Sequence, residues 1–237
     1  MVFTSASRTH VGHRRKLNED AMLDCGERNM WAVADGMGGH HAGEIASALV
    51  VEALSSIAPA STLENHVGKA IGALEEANRA LVELAHSEYQ GRTIGSTIVG
   101  LVANDTQYNC FWAGDSRAYR IRDGEIMQLT RDHSLVQDLV DAGMLEPNEA
   151  ENHPNANVVT RAVGAADTLV VDTVGGHLQA GDVFLLASDG LTRLASAQEL
   201  LAIILANPLE SAADHFIDLA LERGAPDNVS LIIVSAS

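Results

Sequence analysis

Cysteine is scarce: two occur in 237 residues, Cys25 and Cys110. They form no CxxC, and each sits in or beside an apolar run. They read as reduced, buried thiols of a cytoplasmic protein. Long apolar runs are absent as well. The longest, such as 200–206, fall far short of the roughly 20 residues that a membrane helix needs. The first stretch, "MVFTSASRTHVGHRRKLNED", carries no signal-peptide apolar core. Basic residues are few: 15 Lys and Arg stand against 32 Asp and Glu, a net charge of -17. With no basic stripe to offset phosphate repulsion, nucleic acid is excluded as a partner. The same acidity demands local cations, metals or arginines, at any site for a phosphate-bearing substrate. No low-complexity linker, internal repeat or shift of composition divides the chain, so a single domain over 1–237 is expected.

The patterns that are present order themselves clearly. The opening segment, "AMLDC" and "MWAVA" read as strands. "GEIASALVVEALSSI" then places Ile45, Leu49, Ala53 and Ile57 on one helical face. Ser61 and Glu64 form a capping-box pattern before a second helix, whose inner face carries Leu63, Val67, Ile71, Leu74, Leu81 and Ala85. Strands follow at "STIVGLVAN", "QYNCFWAG", "RAYRIR" and "EIMQLT", with Asp123-Gly124 as a hairpin turn. "SLVQDLVDAG" is a short helix, and 146–157 is an irregular surface segment. Strands return at "TLVVDTV" and "DVFLLAS". Ser196 with Glu199 caps a further helix, and Pro208 takes the first position of the last one. "NVSLIIV" is the final strand. Helices come in two pairs between runs of consecutive strands, which predicts an α+β fold of antiparallel sheets covered by helix pairs.

Acids end the apolar runs. Asp35 follows "WAVA", Asp115 follows "FWAG", Asp189 follows "FLLAS", Asp227 precedes "NVSLIIV" and Asp20 precedes "AMLDC". Carboxylates gathered at strand ends repel one another and take up protons unless divalent cations intervene, and all-oxygen donors suit Mg²⁺ or Mn²⁺. In "WAVADGMGGHHAGE", Asp35 is placed to bridge two metals. Gly36 has no side chain, so its carbonyl can approach one of them, and Gly38 and Gly39 let the chain turn into a helix. "GMGGHH" has neither the Rossmann nor the P-loop spacing. His40 and His41 are poor zinc candidates, because adjacent histidines point in different directions. "HRRK" at 13–16, taken alone, is a solvated basic patch. Beside "LNED" an arginine fork there can hold a phosphoryl group next to metal-binding acids.

Together "GHRRKLNEDA", "VADGMGGHHAGE", "GSTIVG", "WAGDSRAYR", "LTRDHSL", "NVVTRAVG", "LLASDGL" and "APDNVSLIIV" resemble, in order and over most of the chain, the metal-dependent protein phosphatases (PPM, type 2C). Length and spacing look like those of compact stand-alone bacterial members. The resemblance implies a four-layer α-β-β-α sandwich, two antiparallel sheets face to face with helix pairs outside. It implies two Mn²⁺ or Mg²⁺ ions at one end and hydrolysis of phosphoserine and phosphothreonine in proteins. The attacking group would be a metal-bridging water or hydroxide, with no phosphoenzyme intermediate. Matched residue by residue, Arg15 holds the substrate phosphate, with Arg14 the second choice. Asp35 bridges the metals, Asp189 and Asp227 complete one, and the Gly36 carbonyl binds the other. Glu19 and Asp20 hold that second metal directly or through its waters. Asn228 supports the site, and Asp115 matches the acid of a third, weaker metal. A flap at about 144–160 contacts substrate, with His153 a candidate proton donor. The implied partners are phosphoproteins, targets of a cognate Ser/Thr kinase. The expected state is a cytoplasmic monomer with no membrane or nucleic-acid partner.

The match departs from the family at "SDGLTR", where Arg193 takes a place that an acid holds in many members. This puts the third metal in question and leaves Arg193 two courses, a pair with Asp115 or a turn outward into solvent. Two other classes compete: a catalytically dead phosphoprotein-binding module, and a metal phosphodiesterase acting on nucleotides. The full set of acids weighs against the first. The acidic charge and the lack of stacking aromatics near the motifs weigh against the second.

Overall fold

The structure is a computed structural model. It describes residues 1–38, 41–58 and 60–237, with the backbone alone at 151 and 152. Three strands come first, β1 (Phe3–His10), β2 (Asp20–Cys25) and β3 (Met30–Met37), then two helices, α1 (Ala42–Ser55) and α2 (Leu63–Glu88). A run of strands follows: β4 (Gly95–Ser96), β5 (Ile98–Ala103), β6 (Gln107–Ala113), β7 (Arg117–Arg122) and β8 (Glu125–Gln128). Helix α3 (Leu135–Asp141) and a 3₁₀ turn at Pro147–Asn152 lead to β9 (Asp172–His177) and β10 (Val183–Ala187). The single turn α4 (Asp189–Thr192), α5 (Ala197–Ala206) and α6 (Leu209–Glu222) precede β11 (Val229–Ala236).

The strands form two sheets, β1-β11-β10-β7-β8 and β2-β3-β5-β6-β9, with β4 paired to β3. Every strand pair is antiparallel. Period-2 alternation decides the layers. In β3, Trp31 and Val33 face one core while Met30, Ala32 and Ala34 face another. In β11, Ile232 and Val234 join Trp31 and Val33 in the inter-sheet core, while Leu231 and Ile233 pack with Leu200 and Phe216 of α5 and α6. The outer core of the second sheet is closed by α1 and α2 through Val50, Leu54, Leu74 and Leu81. Three parallel cores therefore separate four layers, α-β-β-α, as expected. Full burial of each such aliphatic side chain contributes about 1.5–3 kcal/mol. Among the described residues no helix is long and apolar enough to cross a membrane.

Several local expectations shift. The buried face of α1 is Ala42, Ala46, Val50 and Leu54, and Ile45 is exposed. Both stripes repeat every four residues. The one with small residues wins because α1 starts hard against β3, where a Cβ at Gly43 would lie 2.8 Å from the Gly36 carbonyl oxygen. The cap of α2 is Thr62, whose Oγ1 accepts the Asn65 N–H, and not Ser61. Pro208 is the residue before α6 and not its first. The strand expected at 168–174 begins at Asp172, because pairing with β6 runs from Trp112–Asp172 to Gln107–His177. Leu169 instead packs into the core beneath α2. Cys110 is buried, but Cys25 is half-exposed. The Asp123-Gly124 hairpin holds, with positive φ at both residues (52° and 77°) as a type I′ turn requires.

Candidate active site

Antiparallel pairing brings the strand-end acids to one end of the sandwich. Asp20 opens β2 and is the register partner of Asp35 in β3. Asp115 follows β6, Asp189 opens α4 directly after β10, and Asp227 lies just before β11. Asp35, Asp115, Asp189 and Asp227 line one cavity of about 490 Å³, together with Arg15 and Glu19. The Asp35 backbone is fixed by Thr97, whose N–H donates to its carbonyl at 2.8 Å and whose Oγ1 accepts its N–H.

The electrostatics of this floor are those of crowded acids. Burial, then the charges of Asp20, Asp189, Asp115 and Asp227, hold the Asp35 carboxyl well above the usual carboxylate range. Burial pushes Asp20 up to about 6, with the neighbouring hydroxyls of Ser230 and Ser188 opposing the rise. Burial and then Asp189 raise Asp115 to about 6, with Arg193 opposing. Burial raises Asp189, with the Arg193 charge opposing and the charges of Asp227 and Asp20 adding to the rise. Glu19 is raised by burial, with the Arg15 charge opposing, and its Oε1 lies 2.5 Å from where a Cβ at Gly43 would stand. Asp20 Oδ2 accepts from Ser188 Oγ at 3.0 Å, while its buried Oδ1 has no hydrogen-bond partner.

Two arginines answer these charges. Arg15, half-exposed, donates from Nη2 to Asp227 Oδ2 at 2.7 Å. Arg193 donates from Nη2 to Asp115 Oδ2 at 3.0 Å, and its Nε lies 2.9 Å from Asp189 Oδ2. Of the two courses open to Arg193, the structure therefore has the pair with Asp115. The donor set fits hard divalent cations on this structure's own terms: only oxygens, carboxyls raised by burial and mutual repulsion, and a buried Asp20 Oδ1 without a hydrogen-bond partner. Among the described residues, no three acidic, histidine or cysteine side chains are already closed into a ligand set. The arginines hold the outer carboxylates instead.

The supporting positions also have concrete roles. Asn228 is buried and ties the loop after β1 to the start of β11. Its Oδ1 accepts the Glu19 N–H, and its Nδ2 donates to the carbonyls of Val11 and Leu17. Gly36 has no room for a side chain: a Cβ would meet the Gly43 oxygen at 2.0 Å and the Glu19 oxygen at 2.6 Å. Gly38 turns with φ +153°, while Gly39 and His40 lie outside the described residues. His41 is exposed, 3.8 Å from Glu44, and is not part of the cavity wall. His153 does not line the cavity either, and its Nδ1 accepts the Asn155 N–H. Asn157 and Val159 do line it. Sequence reasoning missed the network behind Asp20, in which Ser188 Oγ accepts the Ser230 N–H and Thr9 Oγ1 meets Ser230 Oγ at 2.8 Å. Serines one residue before Asp189 and two after Asn228 were the available signal.

Known proteins share this architecture. The family model described as "Protein phosphatase 2C" matches residues 5–229. The serine/threonine protein phosphatase PstP of Mycobacterium tuberculosis is 35% identical over 98% of this chain, and the chain spans 45% of that relative's length. The solved structure of PppA, described as a key regulatory component of T6SS in Pseudomonas aeruginosa, superposes with a TM-score of 0.92. It shares 42% identity, covering 100% of this chain and 99% of its own. The catalytic domain of PstP in complex with 2 manganese ions superposes with a TM-score of 0.87 at 32% identity, covering 99% and 98%. A family match over nearly the whole chain, and relatives that share both sheets and their sequence, establish that the protein belongs to the protein phosphatase 2C family.

Proposed function

We propose that the protein is a single-domain serine/threonine protein phosphatase that hydrolyses phosphoserine and phosphothreonine in proteins. The observation that carries this reading is the convergence of four strand-end aspartates and Glu19 on one cavity, with Arg15 in its wall and Asp20 paired in register with Asp35. In the metal-loaded protein, Asp35, Asp189 and Asp227, with Asp20, Glu19 and the Gly36 carbonyl, hold two Mn²⁺ or Mg²⁺ ions. Bound divalent cations of this kind lower the pKa of water and neutralise phosphoryl charge. Everything else falls to the chain. Arg15 presents a guanidinium to the phosphate beside Asp227, a planar fork suited to two phosphate oxygens. Asn228 keeps the Arg15 loop and Glu19 in register with Asp227. Asp115, at the other edge, is the candidate ligand of a third ion, with Arg193 competing for it. Residues 144–160 act as the flap that meets the protein substrate, since Asn157 and Val159 reach the cavity.

The physiological substrates are, on this reading, targets of a cognate Ser/Thr kinase, met by a cytoplasmic monomer. The full-length likeness to PppA makes secretion-machine control the first setting to test, by phosphoproteomics of a deletion strain. The activity itself is tested with a phosphothreonine peptide, a nucleotide diester and p-nitrophenyl phosphate, each with Mn²⁺, Mg²⁺ or EDTA. Metal-dependent release of phosphate from the peptide, absent in EDTA, is expected. Full activity after exhaustive chelation, preference for the diester, or no turnover at all overturns the reading.

A further inference from the structure

Arg193 does more than answer two acids. The same guanidinium donates from Nη2 to the Ala156 carbonyl at 3.0 Å and from Nη1 to Asn157 Oδ1. It borders both the main cavity and a smaller one of about 110 Å³ behind it. The flap has its root elsewhere. Leu135 N–H donates to the Val158 carbonyl, Thr160 N–H donates to the His133 carbonyl, and Ser134 bridges Val159. The turn before that root is held mainly by its own bonds, Ala156 N–H to the His153 carbonyl and Val158 N–H to the Asn155 carbonyl. Arg193 is therefore the cation through which the tip of this turn, at 156 and 157, reaches the acid floor.

We infer that Arg193 is a positioning residue, a latch whose fork joins Asp115 and Asp189 to the flap at Ala156 and Asn157 and so couples flap position to cation binding at those acids. The inference rests on the proposed reading of Asp115 and Asp189 as acids that face divalent cations. The physical basis is competition. A planar fork with five N–H donors can serve two carboxylates and two flap oxygens at once, which an ammonium cannot. A divalent cation at the same carboxylates repels the guanidinium and weakens its hold on both. When the guanidinium leaves Asp115 and Asp189, the flap loses its tie to the floor. Linkage then requires the reverse: loosening the flap side of the latch makes cation binding at the Asp115 edge tighter by the same factor.

The experiment combines amide hydrogen exchange and calorimetric Mn²⁺ titration on the full chain. The variants are Arg193→Ala, Arg193→Lys and Asn157→Ala. In EDTA, Arg193→Ala should raise exchange at 153–158 by about tenfold, the scale of one charge-assisted hydrogen bond, with the sheets unchanged. Saturating Mn²⁺ should raise the same amides in the wild type and leave Arg193→Ala unaffected. Arg193→Lys keeps the charge and loses the fork, so its flap should exchange as in Arg193→Ala. Asn157→Ala touches no acid, yet should strengthen the weakest Mn²⁺ step about two- to fivefold by reciprocity. Flap exchange that is indifferent to Arg193 in EDTA overturns the latch. An unchanged weakest Mn²⁺ step in Asn157→Ala overturns the coupling. Absence of any Mn²⁺ binding removes the phosphatase reading and with it the coupling, while the EDTA comparison still decides the latch by itself.

Discussion

The crowded floor makes a specific demand on stability, and Asp20→Asn isolates it. Asp20 sits in the ladder opposite Asp35, with one oxygen bonded to Ser188 and the other without a partner. Burial raises its carboxyl from 3.8 to about 6 in the folded chain, which corresponds to about 3 kcal/mol of destabilisation once the group is ionised. The folded state binds this proton more tightly than the unfolded state does. The penalty is therefore nil below the unfolded pKa of 3.8, grows as pH rises through the window to about 6, and is complete above it. Asparagine carries no charge and still accepts from Ser188, but it buries an amide, so the net gain is set at about 2 kcal/mol. For a chain of this size that is about 4–8 °C in Tm. In EDTA at pH 8, Asp20→Asn should melt higher than the wild type by that amount. By pH 5 the ionisation penalty falls to about half while the amide cost stays, so the gap should shrink to about a third. Saturating Mg²⁺ or Mn²⁺ should close or reverse it, because a cation at about 100 times its Kd stabilises the wild type by about 2.7 kcal/mol. Differential scanning fluorimetry over pH 5–8, with and without metal, reads all three. A gap independent of pH, or an Asn variant less stable at pH 8 in EDTA, refutes the account of this floor as repulsive and desolvated.

Three further outcomes test the site. Asp35→Asn, Asp189→Asn and Asp227→Asn should each remove nearly all turnover while the circular dichroism of the fold is retained, and pairs should lose little more than singles, since the acids act as one unit; near-normal turnover of all three at saturating Mn²⁺ refutes the assignment. Arg15→Ala should chiefly raise KM for phosphopeptides and lower kcat less, because a guanidinium binds phosphate in ground and transition states alike; an unchanged KM moves the role to Arg14 or elsewhere. Gly36→Ala forces a Cβ to 2.0 Å from the Gly43 oxygen and 2.6 Å from the Glu19 oxygen, so it should destabilise by about 3 kcal/mol or more in chemical denaturation; a near-neutral effect contradicts the close approach of α1 to β3.

The acids were legible because each interrupts an apolar run, and a carboxylate at a strand end has few reasons to be there. Asp35 after "WAVA" and Asp189 after "FLLAS" needed no knowledge of strand order. Antiparallel sheets covered by helix pairs were legible from helices arriving in pairs between strands, and their stacking into four layers followed from the family resemblance. Other features depend on contacts that no local pattern encodes. Ile45 and Ala46 head two stripes of equal period, and only the closeness of α1 to β3 selects the second. Thr62 and Ser61 are both sound caps, and the chain's extended backbone at Thr62 decides. Arg193 was marked by its position after "SDGLT", and charge made Asp115 one of two courses open to it beside solvent. Its grip on the flap was not legible, because Asn157 lies 36 residues away in a segment without periodicity.

The placement of the acids also explains how a chain of net charge -17 tolerates them. Like charges this close drive a flexible segment apart. Here they are carried by strand termini whose separations are set by ladder pairing, by Asn228 across the β1 and β11 ends, and by Thr97 on the Asp35 backbone. The repulsion is therefore stored and not relaxed, which keeps oxygen donors facing one cavity. Among the described residues, the two arginines that touch this floor differ in kind. Arg15 sits on a loop that Asn228 pins at Val11, Leu17 and Glu19, so it is held with the floor. Arg193 stands at the end of a single helical turn and shares its donors with the flap. A fixed guanidinium suits the phosphate, which is the same in every substrate. A shared one suits the polypeptide around it, which is not, so on the proposed phosphatase reading discrimination among phosphoproteins falls at the Arg193 edge and phosphate binding at the Arg15 edge.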